Sequence, residues 1–309
     1  MKPLIAITSG DPLGIGPEIV VKALKNALVK NVCTPVVIGD KSALIKAGFT
    51  PDMGTVVDTA AVLSGALPAE PCPTIYGGLT SFNAVAMASR LTSKGEVKAM
   101  VTAPVSKESW NMAGVKFTGH TEFLKEFAKL ERVLMMFTTG KLNVALVSEH
   151  FAIKDLSKEI TTKKIIHAAH LFEKALTAKG IKKPRIGIAA INPHAGDGGK
   201  LGQEENEIIR PAVTVLKKEG LNVQGPISVD ALWTKHTKGA FDGIICMYHD
   251  QAMIGLKLAA QEPIVHVTYG LPFVRTSPTH GTAFDIAGKN EADPESMVAA
   301  ILYAAANCK

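Results

Sequence analysis

Apolar, β-branched stretches alternate with amphipathic stretches along most of the chain. The apolar stretches are almost continuously hydrophobic, as is typical of strands that are covered on both faces of a sheet. Strands are predicted at 4–8, 34–39, 99–104, 143–148, 185–192, 243–248 and 264–270. Helices are predicted at 16–30, 81–94, 119–129, 161–179 and 203–219. Strands that alternate with helices predict an α/β fold with largely parallel strands.

The first predicted strand leads into a glycine-rich turn and a helix, in the stretch ITSGDPLGIGPEI. Pro17 suits the first helical turn, and Glu18 is favourable near the positive end of a helix. Gly10, Gly14 and Gly16 are spaced as GxxxGxG, whereas the dinucleotide fingerprint is GxGxxG. A turn that merely opens a helix explains these glycines about as well as a ligand does, and a Rossmann fold is not predicted.

The 309 residues are enough for one large α/β unit or for two lobes. The sequence contains no internal repeat, low-complexity segment or long linker. Two lobes would therefore have to be interleaved in the chain rather than joined end to end.

Composition and charge limit the kinds of molecule that the protein is expected to bind. The formal net charge is +6, but the lysines are spread along predicted helices and only 6% of the residues are aromatic, so nucleic acid is not an expected partner. The positive charge favours small anions. No stretch of about 18 apolar residues predicts a membrane span, and the short N-terminal apolar run is interpreted as a strand rather than a signal peptide. The four scattered cysteines are expected to be thiols, which favours a cytoplasmic protein.

Histidines are concentrated where the predicted strands end or helices begin. These positions are His120, His150, His194, His249, His266 and His280. Ligands of open α/β sheets bind at the carboxyl ends of the strands. A lone histidine there is more often structural, but three from separate segments can surround one divalent ion and leave a position for substrate or water. His150, His194 and His249 fit best because each directly follows a predicted strand.

Other groups near these strand ends suit an anion. His120 and Thr121 open a predicted helix, whose N-terminus can bind an anion, although capping by Thr121 explains the pattern as well. Lys257 and Arg275 can hold a phosphate or a carboxylate, and ordinary surface charge is the alternative for each. Around His194, proline and glycines in INPHAGDGG restrict the backbone while letting it approach a ligand closely.

Seven stretches, taken in order, resemble the 4-hydroxythreonine-4-phosphate dehydrogenase family. They are GDPLGIGPE, TAPVSK, FTGHTEFL, NPHAGDGGKLGQEE, MYHDQ, LKL and GLPFVRTSPTHGTAFDIAGK. The resemblance covers nearly the whole chain, and the stretches around NPHAGDGG and YHDQ are its most specific parts. The tail HGTAFDIAGKNEADP also resembles the cofactor loop of the wider isocitrate and isopropylmalate dehydrogenase fold.

The resemblance implies a non-Rossmann, three-layer α/β/α fold like that of isopropylmalate dehydrogenase, with two interleaved lobes and a cleft. Lobe A would comprise about 1–118 plus 268–309, and lobe B about 119–267. The family works as a homodimer with each active site shared between the subunits, and a homodimer is therefore expected here.

The resemblance also implies an activity. It is the oxidation of the 3-hydroxyl of 4-phosphohydroxy-L-threonine with NAD or NADP, followed by decarboxylation to 3-amino-2-oxopropyl phosphate in pyridoxal 5'-phosphate (vitamin B6) biosynthesis. A divalent ion, usually zinc, with magnesium or cobalt as alternatives, stabilises the developing alkoxide and then polarises the ketone.

Site residues follow from the positions that match the family. Histidines from two subunits hold the metal ion, and they match His150, His194 and His249. Substrate contacts match His120, Thr121, Lys257, His266 and Arg275. The adenosine side of the cofactor matches His280, Gly281, Thr282, Ala283 and Asp285. Asp250 and Lys257 are candidates for accepting the hydroxyl proton, and a metal-bound hydroxide is a third.

The chain departs from the family pattern at two positions. His266 stands where the family usually has asparagine, and Thr279 replaces an acid that often precedes HGTA. Because His266 matches a substrate contact, a sibling activity on D-threonate or D-erythronate 4-phosphate stays open. Two functions of other classes also stay open, a phosphate-handling acyl transferase and a metal hydrolase.

Overall fold

The structure is a computed structural model, which describes residues 2–62, 66–148 and 151–308. Its strands are β1 (Leu4–Thr8), β2 (Thr34–Gly39), β3 (Thr55–Asp58), β4 (Ala99–Thr102), β5 (Leu134–Thr139), β6 (Leu142–Leu146), β7 (Ile186–Ala189), β8 (Val223–Ile227), β9 (Gly243–Cys246), β10 (Val265–Tyr269) and β11 (Val274–Ser277). Each of the seven predicted strands is observed, with small differences at its ends.

The helices are α1 (Gly16–Lys25), α2 (Ala27–Val32), α3 (Lys41–Lys46), α4 (Ile75–Ser93), α5 (Lys107–Met112), α6 (His120–Phe127), α7 (Leu156–Glu159), α8 (Thr162–Ala178), α9 (Arg210–Lys218), α10 (Val229–Thr237), α11 (His249–Ala259) and α12 (Glu295–Asn307). Shorter 3₁₀ turns cover Pro51–Met53 and Ile153–Asp155, and a π-helical turn, Glu205–Ile209, leads into α9. Within the described ranges, no helix combines the length and the apolar character needed to cross a bilayer.

The chain folds into two compact units that are interleaved in sequence. Unit 1 comprises 1–133 and 271–309, and unit 2 comprises 134–270. The segment 119–133, which the sequence-based lobes assign to lobe B, belongs to unit 1 in this division. The physical reason is that α6 packs on α4 and buries Phe123 and Leu124 in the same core as Trp110.

Unit 1 contains strands in the order β3-β2-β1-β4-β11, and all of these pairs are parallel. The core on one face of the sheet contains Ala6 and Met100 from the strands, with the fully buried Trp110 and Phe123 from the helices. Phe82 packs edge-on against Trp110, with ring centroids 5.5 Å apart. Burial of each such large apolar side chain contributes about 2 kcal/mol, which fixes α5 and α6 on the sheet.

Unit 2 contains strands in the order β10-β5-β6-β9-β7-β8. β5 is antiparallel to both β10 and β6, and the remaining pairs are parallel. Its core packs Phe137 and Ile244 of the sheet against Leu232 of α10 and Leu256 of α11. The prediction of an α/β fold with largely parallel strands is therefore confirmed.

Candidate functional site

The carboxyl ends of β7 and β9 carry two of the predicted metal ligands. The two strands are adjacent and parallel, so the segments that follow them, with His194 and His249, leave the sheet at the same edge. The buried Gln251 joins these ends, because its Nε2 donates to Ala190 O and its Oε1 accepts from Met247 N, both at 2.9 Å. The side-chain amide of Gln251 therefore connects the ends of β7 and β9, where the segments that carry His194 and His249 begin.

The backbone around His194 forms a left-handed turn. His194, Ala195 and Asp197 have φ values of 52°, 54° and 44°, and the glycines at 196 and 198 are left-handed as well. Each left-handed residue other than glycine costs about 1 kcal/mol or more. Gly196 is required for a second reason, because a Cβ there would lie 2.6 Å from Glu205 Oε2. We therefore expect residues outside this turn to stabilise its conformation.

Glu205 is a buried carboxylate that the sequence-based reasoning missed. Its Oε1 accepts from Ile191 N and Asn192 N, both at 2.8 Å, and its Oε2 accepts from Asn192 Nδ2 at 2.9 Å. Burial acts to raise the pKa of Glu205, but the donors from Asn192 and Ile191 outweigh it and hold the pKa below its usual value. In the sequence, the signal for Glu205 is the pair of glutamates, EE, that follows the glycine-rich stretch. The hydrogen bonds of Glu205 depend on the fold and cannot be seen in that pattern.

His194 lines a cavity of about 580 Å³. Asp230, Tyr248, Asp250 and Ile254 line the same cavity. Donors from Ala231 and Ser228, with a smaller contribution from the His194 imidazole, hold the pKa of Asp230 below its usual value. Asp230 is a second acid that sequence reasoning missed, because it follows β8, which was not predicted as a strand.

His249 and Asp250 open α11, and they border a second cavity of about 410 Å³. His249 Nδ1 lies 2.8 Å from Asp250 Oδ1. In metal sites a carboxylate in this position orients the imidazole to coordinate through Nε2. Asp250 lines both cavities, so the structure brings this candidate base close to the space around His194 and around His249.

The predicted metal trio is only partly described. His150 lies outside the described residues. Across the rest of the described chain, no three His, Cys, Asp or Glu side chains converge as a metal site. The donors that are present, imidazoles of His194 and His249 with the carboxylates of Asp230 and Asp250, are nitrogen and oxygen ligands that suit Zn²⁺. The trio therefore stays a prediction with a compatible donor set.

Lys257 and His266 are the predicted substrate contacts of unit 2. Lys257 is exposed on α11, eight residues after His249. His266 is buried in β10, opposite Phe137 of β5, and the two rings stack with centroids 4.9 Å apart.

Arg275 is the most deeply buried cation among the predicted site residues of unit 1. It lies on β11, and its Nη2 donates to Thr102 Oγ1 at 2.7 Å. Burial lowers the pKa of Arg275 because it disfavours the charged form. A guanidinium can donate two parallel hydrogen bonds to a phosphate or a carboxylate, which agrees with the predicted role of Arg275.

His120 and Thr121 occupy the first turn of α6, as predicted, but capping by Thr121 is wrong. The residue that precedes the helix is Gly119, which has no side chain to cap it. Thr118 instead donates from both N and Oγ1 to Glu122 Oε2, at 2.6 and 2.8 Å. Thr121 therefore does not cap this helix. The centroids of the His120 ring and of the buried Trp110 ring lie 5.7 Å apart.

The predicted cofactor loop, 280–285, packs against the glycine-rich turn that follows β1. Ile15 N donates to Thr282 O at 2.9 Å, and a Cβ on Gly14 would lie 2.9 Å from that oxygen. The turn therefore does more than open α1, because it also holds this loop.

The loop also offers features that fit a ligand. His280 Nε2 is buried and has no hydrogen-bond partner among the described residues. A Cβ on Gly281 would meet no protein atom within 4 Å. A buried polar atom beside open backbone fits a ligand with hydrogen-bonding groups, as a nicotinamide cofactor has.

Comparison with known proteins gives matches along nearly the full length. The family model described as "Pyridoxal phosphate biosynthetic protein PdxA" matches residues 31–304. The chain is 40% identical to the 4-hydroxythreonine-4-phosphate dehydrogenase of Geobacter metallireducens, with 98% of this chain and 95% of that protein covered. It is 37% identical to a protein of Oceanobacillus iheyensis provisionally named D-threonate 4-phosphate dehydrogenase, with 97% and 96% covered.

Solved structures are also similar to this chain. The crystal structure of 4-hydroxythreonine-4-phosphate dehydrogenase from Klebsiella pneumoniae superposes with a TM-score of 0.85 at 34% identity, over 98% of this chain and 97% of that one. A β-decarboxylating dehydrogenase from Thermococcus kodakarensis superposes with a TM-score of 0.50 at 16% identity, over 97% and 82%, which bears on the fold alone. The predicted fold, shared with the decarboxylating dehydrogenases, is confirmed.

Proposed function

Because the chain belongs to the pyridoxal phosphate biosynthetic protein PdxA family, we propose that it is a 4-hydroxythreonine-4-phosphate dehydrogenase. It oxidises the 3-hydroxyl of 4-phosphohydroxy-L-threonine and reduces NAD⁺ or NADP⁺ by one hydride. The resulting β-keto acid loses CO₂ to give 3-amino-2-oxopropyl phosphate, on the route to pyridoxal 5'-phosphate. The observation that carries the proposal is 40% identity to a dehydrogenase of this name over 98% of the chain.

The metal-binding residues in this proposal are His150 and His194 with the partner subunit's His249. A divalent cation, zinc in our proposal, would supply charge stabilisation at the substrate oxygen during oxidation and decarboxylation. The nitrogen and oxygen donors around the carboxyl ends of β7 and β9 support this choice. Asp250 holds the imidazole of its neighbour His249 in one orientation.

The chain's own residues supply binding and proton transfer. Arg275 holds the substrate's anionic group, with Thr102 Oγ1 fixing one guanidinium nitrogen, and His120 and Thr121 add donors at the start of α6. Asp250 or Lys257 accepts the proton of the substrate hydroxyl, and His266 contacts the substrate from β10. The orientation of each group before the reaction lowers the entropic part of the barrier.

The cofactor-binding residues in the proposal are His280, Gly281, Thr282, Ala283 and Asp285. Support comes from the buried His280 Nε2, the open space at Gly281 and the hydrogen bond that fixes Thr282. The proposal includes both NAD and NADP as cofactors.

The protein works as a homodimer in this proposal, with shared active sites. Ile254 and Leu258 support it, since they are 61% and 84% exposed and lie one turn apart on α11, the helix that begins with His249. Apolar side chains of this size on a helix face favour a protein partner. Phosphorylated substrate and nicotinamide cofactor fit a cytoplasmic enzyme, and we propose that location.

A substrate screen tests the function. 4-Phosphohydroxy-L-threonine is offered with NAD⁺ or NADP⁺, with and without zinc, and NADH or NADPH is followed at 340 nm. We expect reduction of one nicotinamide that disappears with a chelator and returns with zinc. Release of inorganic phosphate without a nicotinamide would favour a metal hydrolase, and acyl transfer without reduction would favour an acyl transferase.

A second candidate is the sibling activity on D-threonate 4-phosphate, with D-erythronate 4-phosphate beside it. The similarity to the provisionally named D-threonate enzyme, 37% against 40%, supports keeping it. His266 supports keeping it too, because this residue matches a substrate contact at which the family usually has asparagine. The same screen decides, since kcat/KM for the true substrate should be at least about 10-fold higher, equal to about 1.4 kcal/mol of transition-state binding.

A further inference from the structure

We propose that Glu205 is a positioning residue that holds the left-handed turn 193–199 and thereby presents His194. The proposal deepens the proposed function, and rests on it to the extent that His194 is a metal ligand.

The turn needs an external hold. Consecutive left-handed residues are unfavourable for L-amino acids, and three of the five from 194 to 198 carry a Cβ. At the end of the segment, Leu201 N donates to Gly196 O at 3.1 Å, and Lys200 N donates to Asp197 O at 3.4 Å. An unsupported chain of this sequence would relax to ordinary backbone angles.

Glu205 contacts the segment at its beginning and at its middle. Its carboxylate binds the two amides that enter the turn, at Ile191 and Asn192, and the Asn192 side chain as well. Gly196, at the centre of the turn, lies directly against Oε2. Glu205 therefore joins the two ends of the segment from 191 to 205, and Glu204 Oε2 accepts a further hydrogen bond from Asn192 Nδ2 at 2.7 Å. His194 lies in the part that is enclosed.

The carboxylate, and not its shape alone, is required at this position. Three N–H groups point at the two oxygens, and a carboxylate can accept all of them. A glutamine of the same size would turn an NH₂ group toward one of these donors. Glu205→Gln therefore separates the chemistry from the volume of the side chain.

Glu207 is a matched control. It lies on the same π-helical turn, two residues further along, and is exposed. Glu207→Gln changes the net charge by the same amount as Glu205→Gln and leaves the turn untouched.

The first measurement is limited trypsin digestion of the full-length protein, followed by mass spectrometry. Lys200 is exposed directly after the turn, so cleavage of the Lys200–Leu201 bond reports opening of this segment. We expect Glu205→Gln to speed this cleavage at least 10-fold, whereas cleavage after the exposed Lys238 keeps its wild-type rate. Glu207→Gln should behave as the wild type at both bonds.

The second measurement is Co²⁺ binding, followed by the visible spectrum of the ion and by titration calorimetry. His194→Ala is the reference for loss of the ligand. We expect Glu205→Gln to raise the Kd for Co²⁺ at least 10-fold with a changed spectrum, and excess metal to restore much of kcat while KM for the nicotinamide stays constant. Where Glu205→Gln fails to fold, Asn192→Ala removes one of the three hydrogen bonds to Glu205, together with the bond from Asn192 Nδ2 to Glu204 Oε2. It should give the same changes at smaller size.

The outcomes separate the two proposals. Folded Glu205 and Asn192 variants with wild-type cleavage at Lys200 and wild-type Co²⁺ binding would overturn the role of Glu205. If the wild type and His194→Ala bind Co²⁺ equally, the metal assignment of His194 fails, and the digestion alone then decides whether Glu205 holds the turn.

Discussion

At the scale of a single residue, Arg275 is the buried cation that we propose for the anion site. A buried guanidinium is unfavourable in an apolar surrounding unless it has partners. Thr102, on the neighbouring strand β4, supplies a hydroxyl that accepts a hydrogen bond but carries no charge. In our proposal, a phosphate or carboxylate of the substrate lies against this guanidinium.

Arg275→Ala should raise KM for the phosphorylated substrate about 100-fold, equivalent to about 2.7 kcal/mol of lost binding, because the main cation of the anion site is removed. Arg275→Lys should give a KM between those of the wild type and Arg275→Ala, since an ammonium keeps the charge but cannot bind in the forked geometry of a guanidinium. Steady-state kinetics with varied substrate at saturating nicotinamide checks both.

The control for this pair is Arg185→Ala. Arg185 is an exposed residue that binds Asp242, and its removal should leave KM unchanged. An Arg275→Ala enzyme with the wild-type KM would exclude Arg275 from the anion site.

Residue types and spacing predicted His194 and His249, because each directly follows a recognisable strand, whereas Arg275 was predicted from its residue type and from the family resemblance. They did not predict Glu205 or Asp230. Both acids become visible only when the folded backbone brings the amides of 191 and 192 to Glu205 and places Asp230 in the cavity that His194 lines. The error at Thr121 has a similar cause, since the choice between Thr118 and Thr121 depends on where the helix begins.

At the scale of elements, the seven predicted strands were observed, but β3, β5, β8 and β11 were not predicted, although β5 is buried along its whole length. β8 contains Gly225 and Pro226, two residues that argue against a strand. β5 and β6 are separated only by the turn at Gly140, and the sequence indicates the second of them more clearly. The short β3 and β11 form because neighbouring strands supply their hydrogen bonds, which no local pattern records.

The cofactor loop gives a prediction at this scale. Gly281→Ala should leave the melting temperature within about 1 °C of the wild type, because the new methyl group meets no protein atom. It should raise KM for the nicotinamide about 10-fold, because the methyl group enters the space beside the loop that we assign to the cofactor. Thermal melting and kinetics with varied nicotinamide check the two parts.

Gly14→Ala is the matched contrast for this loop. Its Cβ would clash with Thr282 O, so the melting temperature should fall by several degrees before any cofactor is added. A Gly281→Ala enzyme with wild-type KM values for both nicotinamides would remove Gly281 from the proposed cofactor site.

At the scale of the whole molecule, the proposed activity requires two chains. If the protein is the proposed homodimer, Ile254→Asp combined with Leu258→Asp should give a monomer and reduce turnover at least 100-fold. Two buried carboxylates would be too costly at the proposed interface, and the proposed site would lose the partner subunit's His249. Sedimentation velocity and NADH formation check the prediction.

Ile45→Asp is the control, since Ile45 is similarly exposed, at 56%, on α3 of unit 1. It should change neither the mass in solution nor the rate. A double variant on α11 that stays dimeric and active would place the interface elsewhere.

The sequence by itself determined the alternation of strands and helices, the α/β class and the histidines at the strand ends. Those features depend on hydrophobic periodicity and on neighbours within a few residues, which the chain records locally. Only the tertiary structure decided that Gln251 would tie β7 to β9, that Glu205 would hold the turn at His194, and that Gly14 would lie against Thr282. Each of these arrangements joins segments that are separate in the chain, and they exist because packing within each unit's core brings the backbones of those segments together.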